Sequence, residues 1–470
     1  MRADDLCWMS AVDLAAAIRV GEVSPVEVTE AVLDRIARVN PAINAYVTVA
    51  AEPARAQARQ AEAAVMRGEP LGPLHGVPIS FKDLTDTAGI RTTYGSRAFE
   101  HHVPKEDAVV VERARRAGAV LIGKTNTPEF GCKGVTDNRV FGATRNPWHL
   151  ERVPGGSSGG AAAGLAAGLG PLAEGSDLAG SIRVPAACCG VVGLKPSLGR
   201  VARYPTKNGW TGFSVVGPMA RTVRDAALLL SVLAGPDDRD PISLPAPGRE
   251  FAHAAQGTIA GLRVAWTPDL GYAPVEPEIR AVCAAAARRF EALGCAVDEA
   301  QPGFDDAEPL FMDLVAPMRA ASFGAMLPQW RAEMDPLLVQ RIERSDGVDA
   351  VAFERAQQRR TQLWLTVQRF FERYDVLLTP VTAVAPFSLD VQYPTRIAGR
   401  AVTSPLGWFP FTFPFAITGQ PAISIPCGWT SEGLPVGLQI VGGRHADATV
   451  LRVAAAFEAA HPWIHRRPAL

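Results

Sequence analysis

An α/β fold built around one large sheet is what this sequence predicts, and three observations predict it. From Leu74 onward, short apolar runs alternate with amphipathic helical stretches, the texture of strands and helices taking turns. Hydrophobic residues make up 48% of the 470 positions, ample for a deep core. No repeat at a solenoid period and no low-complexity tract interrupts the chain, so one large domain with helical elaborations is expected. Division by length alone gives about two to four domains, a rule that large α/β enzymes break.

The elements follow in order. Ser24-Pro25-Val26-Glu27 is a capping box with proline at the first helical position. The helix it opens carries Val28, Ala31, Val32 and Ile36 on one face, and Asn40-Pro41 is expected to end it. A second, Ala-rich helix fits 52–67, and the two form a cover over the main body. Val77–Phe81 reads as a strand, Asp107–Ala117 as a helix capped by Asp107, Val120–Gly123 as a strand and Thr222–Ala234 as a helix. Residues 236–258, rich in Pro and Asp, read as a surface connection. Leu262–Trp266 is the next strand and Pro277–Leu293 the next helix, and 305–372 is helical with scattered Met, Phe and Trp. Asp375–Thr379 returns to strand, 385–412 is irregular, and Leu438–Gly442 is a late strand before a closing helix, Ala446–Ala460.

Composition excludes several classes of function. Net charge is −1 with 20% charged residues, and no basic stripe or acidic tail points to nucleic acid. A neutral or amphipathic small molecule is the expected partner. The seven cysteines are odd in number and form no CxxC pair, which argues against a disulfide framework or a zinc site. Buried reduced thiols in a cytoplasmic protein are the plain reading. The start, Met1-Arg2-Ala3-Asp4-Asp5-Leu6, carries acids where a signal peptide needs a basic, then apolar, run. No stretch reaches the ~18 uninterrupted apolar residues of a membrane span, so no membrane partner is expected.

Three motifs carry chemistry. Lys82 ends Val77-Pro78-Ile79-Ser80-Phe81-Lys82-Asp83, after a strand that looks buried. Burial lowers a lysine pKa from about 10.4 and frees the amine to act as a base, although most lysines at strand ends are solvated. Gly155-Gly156-Ser157-Ser158-Gly159-Gly160 gives two serines the backbone freedom of flanking glycines. Such a loop can serve a nucleophile, cradle a phosphate or act as a linker. It lacks both the P-loop lysine and GxGxxG spacing, and Ala161–Gly170 after it reads as a small-residue helix. In Gly175-Ser176-Asp177-Leu178-Ala179-Gly180-Ser181-Ile182-Arg183, successive amides at 178–181 can converge on one point, as an oxyanion hole requires. An ordinary turn before Pro185 would read the same way. None of the eight histidines has a triad context, so a neutral lysine would have to replace imidazole.

Together the motifs resemble the amidase signature family. The resemblance covers nearly the whole chain and is densest from Leu74 to Arg200, including Lys124-Thr125-Asn126-Thr127-Pro128-Glu129, Gly142-Ala143-Thr144-Arg145-Asn146-Pro147-Trp148 and Gly190-Val191-Val192-Gly193-Leu194-Lys195-Pro196. It recurs at Thr418-Gly419-Gln420-Pro421-Ala422 and Pro435-Val436-Gly437-Leu438-Gln439. It implies an amidase signature fold, with a mixed central β-sheet covered by helices on both faces. Within one domain, 1–70 would be a helical cover, 71–235 the signature core, 236–412 a variable substrate-shaping region and 413–470 a return to the core. It also implies roles. Ser181 would be the acyl-accepting nucleophile, Ser157 the bridging serine after a cis bond from Gly156, and Lys82 the base. Gly131 and the backbone at Leu178, Ala179 and Gly180 would form the substrate and oxyanion site. Asn126, Gly156, Ser158, Asp177 and Arg183 would hold the geometry. No metal and no cofactor is implied. One departure stands out: the family more often has Gly-Gly before the nucleophile, where this chain has Ala179-Gly180.

The substrate would be chosen by about 300–345 and 385–412, with Phe304, Phe311, Met312, Met318, Phe323, Met326 and Trp330. At helical spacing these side chains serve a core more often than a pocket; any that face the cleft favour an apolar or aryl amide. Among family members the chain looks most like broad-scope bacterial amidases: aryl acylamidases, nylon-oligomer hydrolases and urethane-cleaving amidases. Carbamates and esters are further candidate substrates. The alternatives are the glutaminase component of a tRNA-dependent amidotransferase and a non-catalytic binding protein on the same fold. A monomer or homodimer is expected.

Overall fold

The structure is a computed structural model that describes residues 2–210, 212–246, 251–345 and 348–470. Among the described residues eleven strands form one mixed sheet. In chain order they are β1 (Tyr46–Val49), β2 (Pro78–Lys82), β3 (Val120–Thr125), β4 (Leu172–Asp177), β5 (Val192–Lys195), β6 (Val215–Ala220), β7 (Arg263–Trp266), β8 (Ala296–Glu299), β9 (Val376–Pro380), β10 (Ala422–Trp429) and β11 (Pro435–Gly442). Across the sheet they run β1-β3-β2-β4-β6-β5-β10-β11-β9-β7-β8. β2 is parallel to both β3 and β4, whereas β6 runs antiparallel to β4 and to β5. The parallel register Ile79↔Leu172 and Ser80↔Ala173 brings the ends of β2 and β4 to the same edge. Lys82 and Ser176 are therefore neighbours although far apart in sequence. Ligands of open α/β sheets bind at such an edge.

The strands β2, β3, β5, β9 and β11 are buried along their whole length, which explains why β2, β3, β9 and the end of β11 read as apolar runs rather than alternating ones. Helix Gly159–Ala166 is also wholly buried. Its glycines and alanines let it approach the sheet closely: a Cβ on Gly160 would stand 2.3 Å from the Asn126 nitrogen.

Several boundaries differ from expectation. The capping box at Ser24 is present, but the helix continues through Pro41 to Ile43 and stops at Asn44, which takes a left-handed φ of 50°. Asn40 serves the exit instead, its Oδ1 accepting from the Ala45 and Tyr46 amides at 2.8 Å each. A proline one turn from a helix end disturbs few of its bonds. Asp107 does not cap: the helix is Val109–Arg116, and Asp107 accepts from the Ala88 amide at 2.7 Å and pairs with Arg115 at 2.8 Å. The small-residue helix is shorter than Ala161–Gly170, and the late strand begins at Pro435. Helices Ala3–Trp8, Ala11–Arg19 and Arg183–Cys189 and strands β1, β4, β5, β6, β8 and β10 went unread, being short or lacking a clean period. Of the connection at 236–258, residues 247–250 lie outside the described residues, as do 346 and 347 of the helical stretch 305–372.

One stretch, Glu308–Trp330, is long and apolar enough to cross a membrane by length and composition, with a mean hydropathy of 1.3, although no single uninterrupted run marks it in the sequence. Its Leu310, Phe311, Leu314 and Val315 are buried in the main core.

Candidate active site

Lys82 closes β2 as a fully buried side chain. Its Nζ lies 2.6 Å from Ser157 Oγ, 2.9 Å from Ser158 Oγ and 3.1 Å from Ser176 Oγ. Burial outweighs the attraction of Glu174 and Asp177 and drops its pKa from 10.5 to about 7. The backbone N–H of Lys82 donates to Glu174 Oε2 at 2.9 Å, and Thr85 Oγ1 donates to the same carboxylate at 3.0 Å. Burial pushes the Glu174 carboxyl up. Lys124, equally buried, donates to the Thr85 carbonyl and, at 2.9 Å, to Thr87 Oγ1; burial lowers its pKa to about 8.

Ser157 and Ser158 immediately precede the helix Gly159–Ala166, and the Gly156–Ser157 bond is cis. Space at Gly156 is short, since a Cβ there would stand 2.7 Å from the Val135 carbonyl oxygen. The Ser158 amide donates to the Ser181 carbonyl at 3.0 Å, which ties the two serine loops together. Asn126 is buried and braces the neighbourhood, donating to Thr144 Oγ1 at 3.0 Å and accepting from Asn138 Nδ2 at 2.7 Å.

The loop after β4 is organised by Asp177 and Arg183, both fully buried. Arg183 Nη2 donates to Asp177 Oδ1 at 2.8 Å and Nε to Oδ2 at 2.9 Å, a two-pronged pair. Arg183 Nη1 reaches the Thr412 carbonyl at 2.9 Å and Gln439 Oε1 at 2.7 Å, so the far end of the chain holds the guanidinium. Asp177 stays ionised because the cation beside it outweighs its burial, and its pKa is lowered. Its Oδ1 also accepts the Gly180 N–H at 2.7 Å. The oxyanion site implied at Leu178, Ala179 and Gly180 is thus altered at one position, for the Gly180 amide is turned inward. The amides of Leu178, Ala179 and Ser181 have no intramolecular partner among the described residues, and all three residues are half-exposed. Gly180 itself has φ 131°, and a Cβ there would stand 2.4 Å from Thr412 Oγ1. Ala179 has a negative φ, so the alanine that departs from Gly-Gly fits without strain.

Ser181 is half-exposed and its hydroxyl makes no hydrogen bond among the described residues. The expected contact with Ser157 is therefore not formed, whereas Lys82–Ser157 is. Gly131 also borders Ser157: a Cβ there would stand 3.2 Å from Ser157 Oγ, and its φ is 66°.

Sequence reasoning missed Glu174, Ser176 and Thr412, and gave Lys124 and Lys195 no role of their own. A lone acid in the apolar run Pro171-Leu172-Ala173-Glu174 was the available signal. Lys195, fully buried near Arg183, has its pKa lowered to about 7 by burial. Of the candidate pocket side chains, Phe311 and Met312 belong to the core. Met326 and Trp330 pack on a small cluster around Cys132 and Leu338, and Phe323 stacks on Phe130 with ring centres 4.2 Å apart. Two cavities of about 650 and 610 Å³ are lined by other residues than Lys82, Ser157 and Ser181, so chemistry rather than size locates the site. Among the described residues no three His, Cys, Asp or Glu side chains gather in a way that could hold a metal ion.

The amidase family model matches residues 27–451. An acylamidase of Rhodococcus erythropolis is 42% identical over 100% of this chain and 99% of its own length. A glutamyl-tRNA(Gln) amidotransferase subunit from Moorella thermoacetica is 39% identical over 99% of each. The crystal structure of a bacterial aryl acylamidase superposes with a TM-score of 0.93 at 34% identity, covering 97% of both chains. A family match across most of the sequence, with full-length relatives at this identity, places the chain in the amidase signature family of amide-hydrolysing enzymes.

Proposed function

We propose that this enzyme hydrolyses apolar or aryl amides through an acyl-enzyme on Ser181, with Ser157 as proton bridge and Lys82 as base. The observation that carries the reading is the 2.6 Å contact between Lys82 Nζ and Ser157 Oγ inside a fully buried site. A neutral amine has two N–H donors and one lone pair, and three hydroxyl oxygens surround this one. Ser158 donates its own proton toward the Ser176 carbonyl at 3.4 Å, so it accepts from Lys82. The lone pair is left for the closest neighbour, Ser157. Lys82 then takes the Ser157 proton while Ser157 takes that of Ser181, and Ser181 Oγ attacks the amide carbon. The amides of Leu178, Ala179 and Ser181 are the donors available to the resulting oxyanion. Ser157 protonates the leaving amine as the tetrahedral species collapses, and water repeats the cycle to release the acid. Ser157 serves both steps because one hydroxyl exchanges protons with both neighbours.

The relatives' names support an acyl amide as the substrate class, and the half-exposed rings of Phe130 and Phe323 beside the Gly131 turn suit an aryl group. The variable segments 300–345 and 385–412 shape that side, with no nucleic acid or membrane partner, and the enzyme works in the cytoplasm as a monomer or homodimer. Purified protein alone should turn over anilides in a panel with aliphatic amides, dipeptide amides, carbamates and esters. Hydrolysis of glutamine only, and only with a partner protein, would instead favour the amidotransferase reading that the Moorella relative raises.

A further inference from the structure

Next to Ser157 runs a turn that the mechanism above leaves unexplained. Phe130 and Gly131 are consecutive left-handed residues, with φ of 46° and 66°. Left-handed backbone suits glycine but is costly for a phenylalanine, so surrounding contacts must enforce it. Those contacts come largely from the variable region. Arg319, on the helix Glu308–Phe323, donates through Nη1 to the Phe130 carbonyl at 2.9 Å. Arg341, on the helix Pro336–Glu343, donates through Nη1 to the Cys132 carbonyl. Glu129 accepts from the Asp335 amide at 2.5 Å and from Ser96 Oγ at 2.6 Å. Phe323, at the end of the Arg319 helix, stacks on Phe130.

Arg319, which also lies over the Phe323 ring at 5.7 Å, and Arg341 have no carboxylate at ion-pair distance among the described residues, so their partners are carbonyls and a ring rather than anions. We propose that Arg319 is a positioning residue for the hydrolytic reaction, clamping the Phe130–Gly131 turn against Ser157 through its bond to the Phe130 carbonyl. The charged groups acting on Lys82 are Glu174 and Asp177 from β4 and Arg319 from the helix Glu308–Phe323. Arg319 in turn faces Cys132 and Arg341. The two acids favour the protonated amine and Arg319 opposes them, so removing the arginine charge raises the Lys82 pKa.

This inference rests on Lys82 as the base, and the test separates the two. The measurement is kcat and KM for an anilide against pH in the parent, Arg319→Met and Arg319→Lys. Arg319→Met should lose roughly tenfold or more in kcat, with the acid limb of kcat/KM displaced to higher pH. Arg319→Lys keeps the charge and should keep the parental limb while recovering part of kcat. An Arg319→Met limb at the parental pH overturns the proposal, whatever the rate. If that variant fails to fold, Arg319→Gln is read in the same way; failure of both to fold marks the arginine as structural only and also overturns it. A parent enzyme without an acid limb, or Lys82→Ala retaining one, would sink the base assignment instead.

Discussion

Acidification should switch this enzyme off along the titration of one buried amine. Lys82 is fully enclosed, and burial brings its pKa from 10.5 to about 7. Only the free amine can take the Ser157 proton, so activity follows the deprotonated fraction. That fraction is about one half at pH 7, roughly one tenth at pH 6 and about one hundredth at pH 5. The assay is kcat/KM for an anilide from pH 5 to 9, plotted logarithmically, with a rising limb of slope about one and a plateau above pH 8. Stability shifts in the same direction. A lysine whose folded pKa lies below its unfolded value makes the fold more stable as pH rises from about 7 to 10.5, and contributes a flat penalty below 7. Lys124 and Lys195 titrate in overlapping ranges, so the quantity to read is the parent minus Lys82→Met difference in stability against pH. Lys82→Met should be inactive while losing its share of that slope, and Lys82→Arg should be nearly dead because guanidinium keeps its proton. A flat kcat/KM from pH 5 to 8, or an acid limb surviving in Lys82→Met, would refute the reasoning.

Ser181→Ala should abolish hydrolysis with an unchanged melting temperature, and a fluorophosphonate should label the parent at Ser181; mass spectrometry finding the label on another serine would move the nucleophile. Ser157→Ala should lose about 10²–10⁴ in kcat, the range for a positioned acid–base group, whereas a loss under tenfold in steady-state kinetics would mean that Lys82 reaches Ser181 without it. Gly180→Ala should cost several degrees of melting temperature and most activity, because its Cβ would stand 2.4 Å from Thr412 Oγ1 at a φ of 131°. Ala179→Gly should stay near parental activity, and calorimetry with initial rates checks the pair. Arg183→Met should destabilise by about 3–5 kcal/mol in denaturant unfolding, since it strands the buried Asp177 carboxylate without its partner.

The candidate site was legible in the sequence because its signals are local. A lysine ending an apolar run, serines between glycine pairs and a small-residue backbone before Ser181 each constrain their own few residues, and the motifs together led to the family. Capping and apolar spacing likewise located the helices at Pro25–Ile43 and Val223–Leu233. Tertiary structure decided what depends on residues distant along the chain. Asp177 holds the Gly180 amide inward as part of a network in which Arg183 is gripped by Thr412 and Gln439, and that took one amide out of the implied oxyanion site. Lys82 acquires its depressed pKa from enclosure by β4 and the two serine loops, which its own strand does not reveal. The clamp on Phe130 joins residues nearly two hundred positions apart. Local propensity acts over a few residues, whereas desolvation and side-chain pairing depend on which strands lie together, and that is settled only when the whole sheet closes around its core.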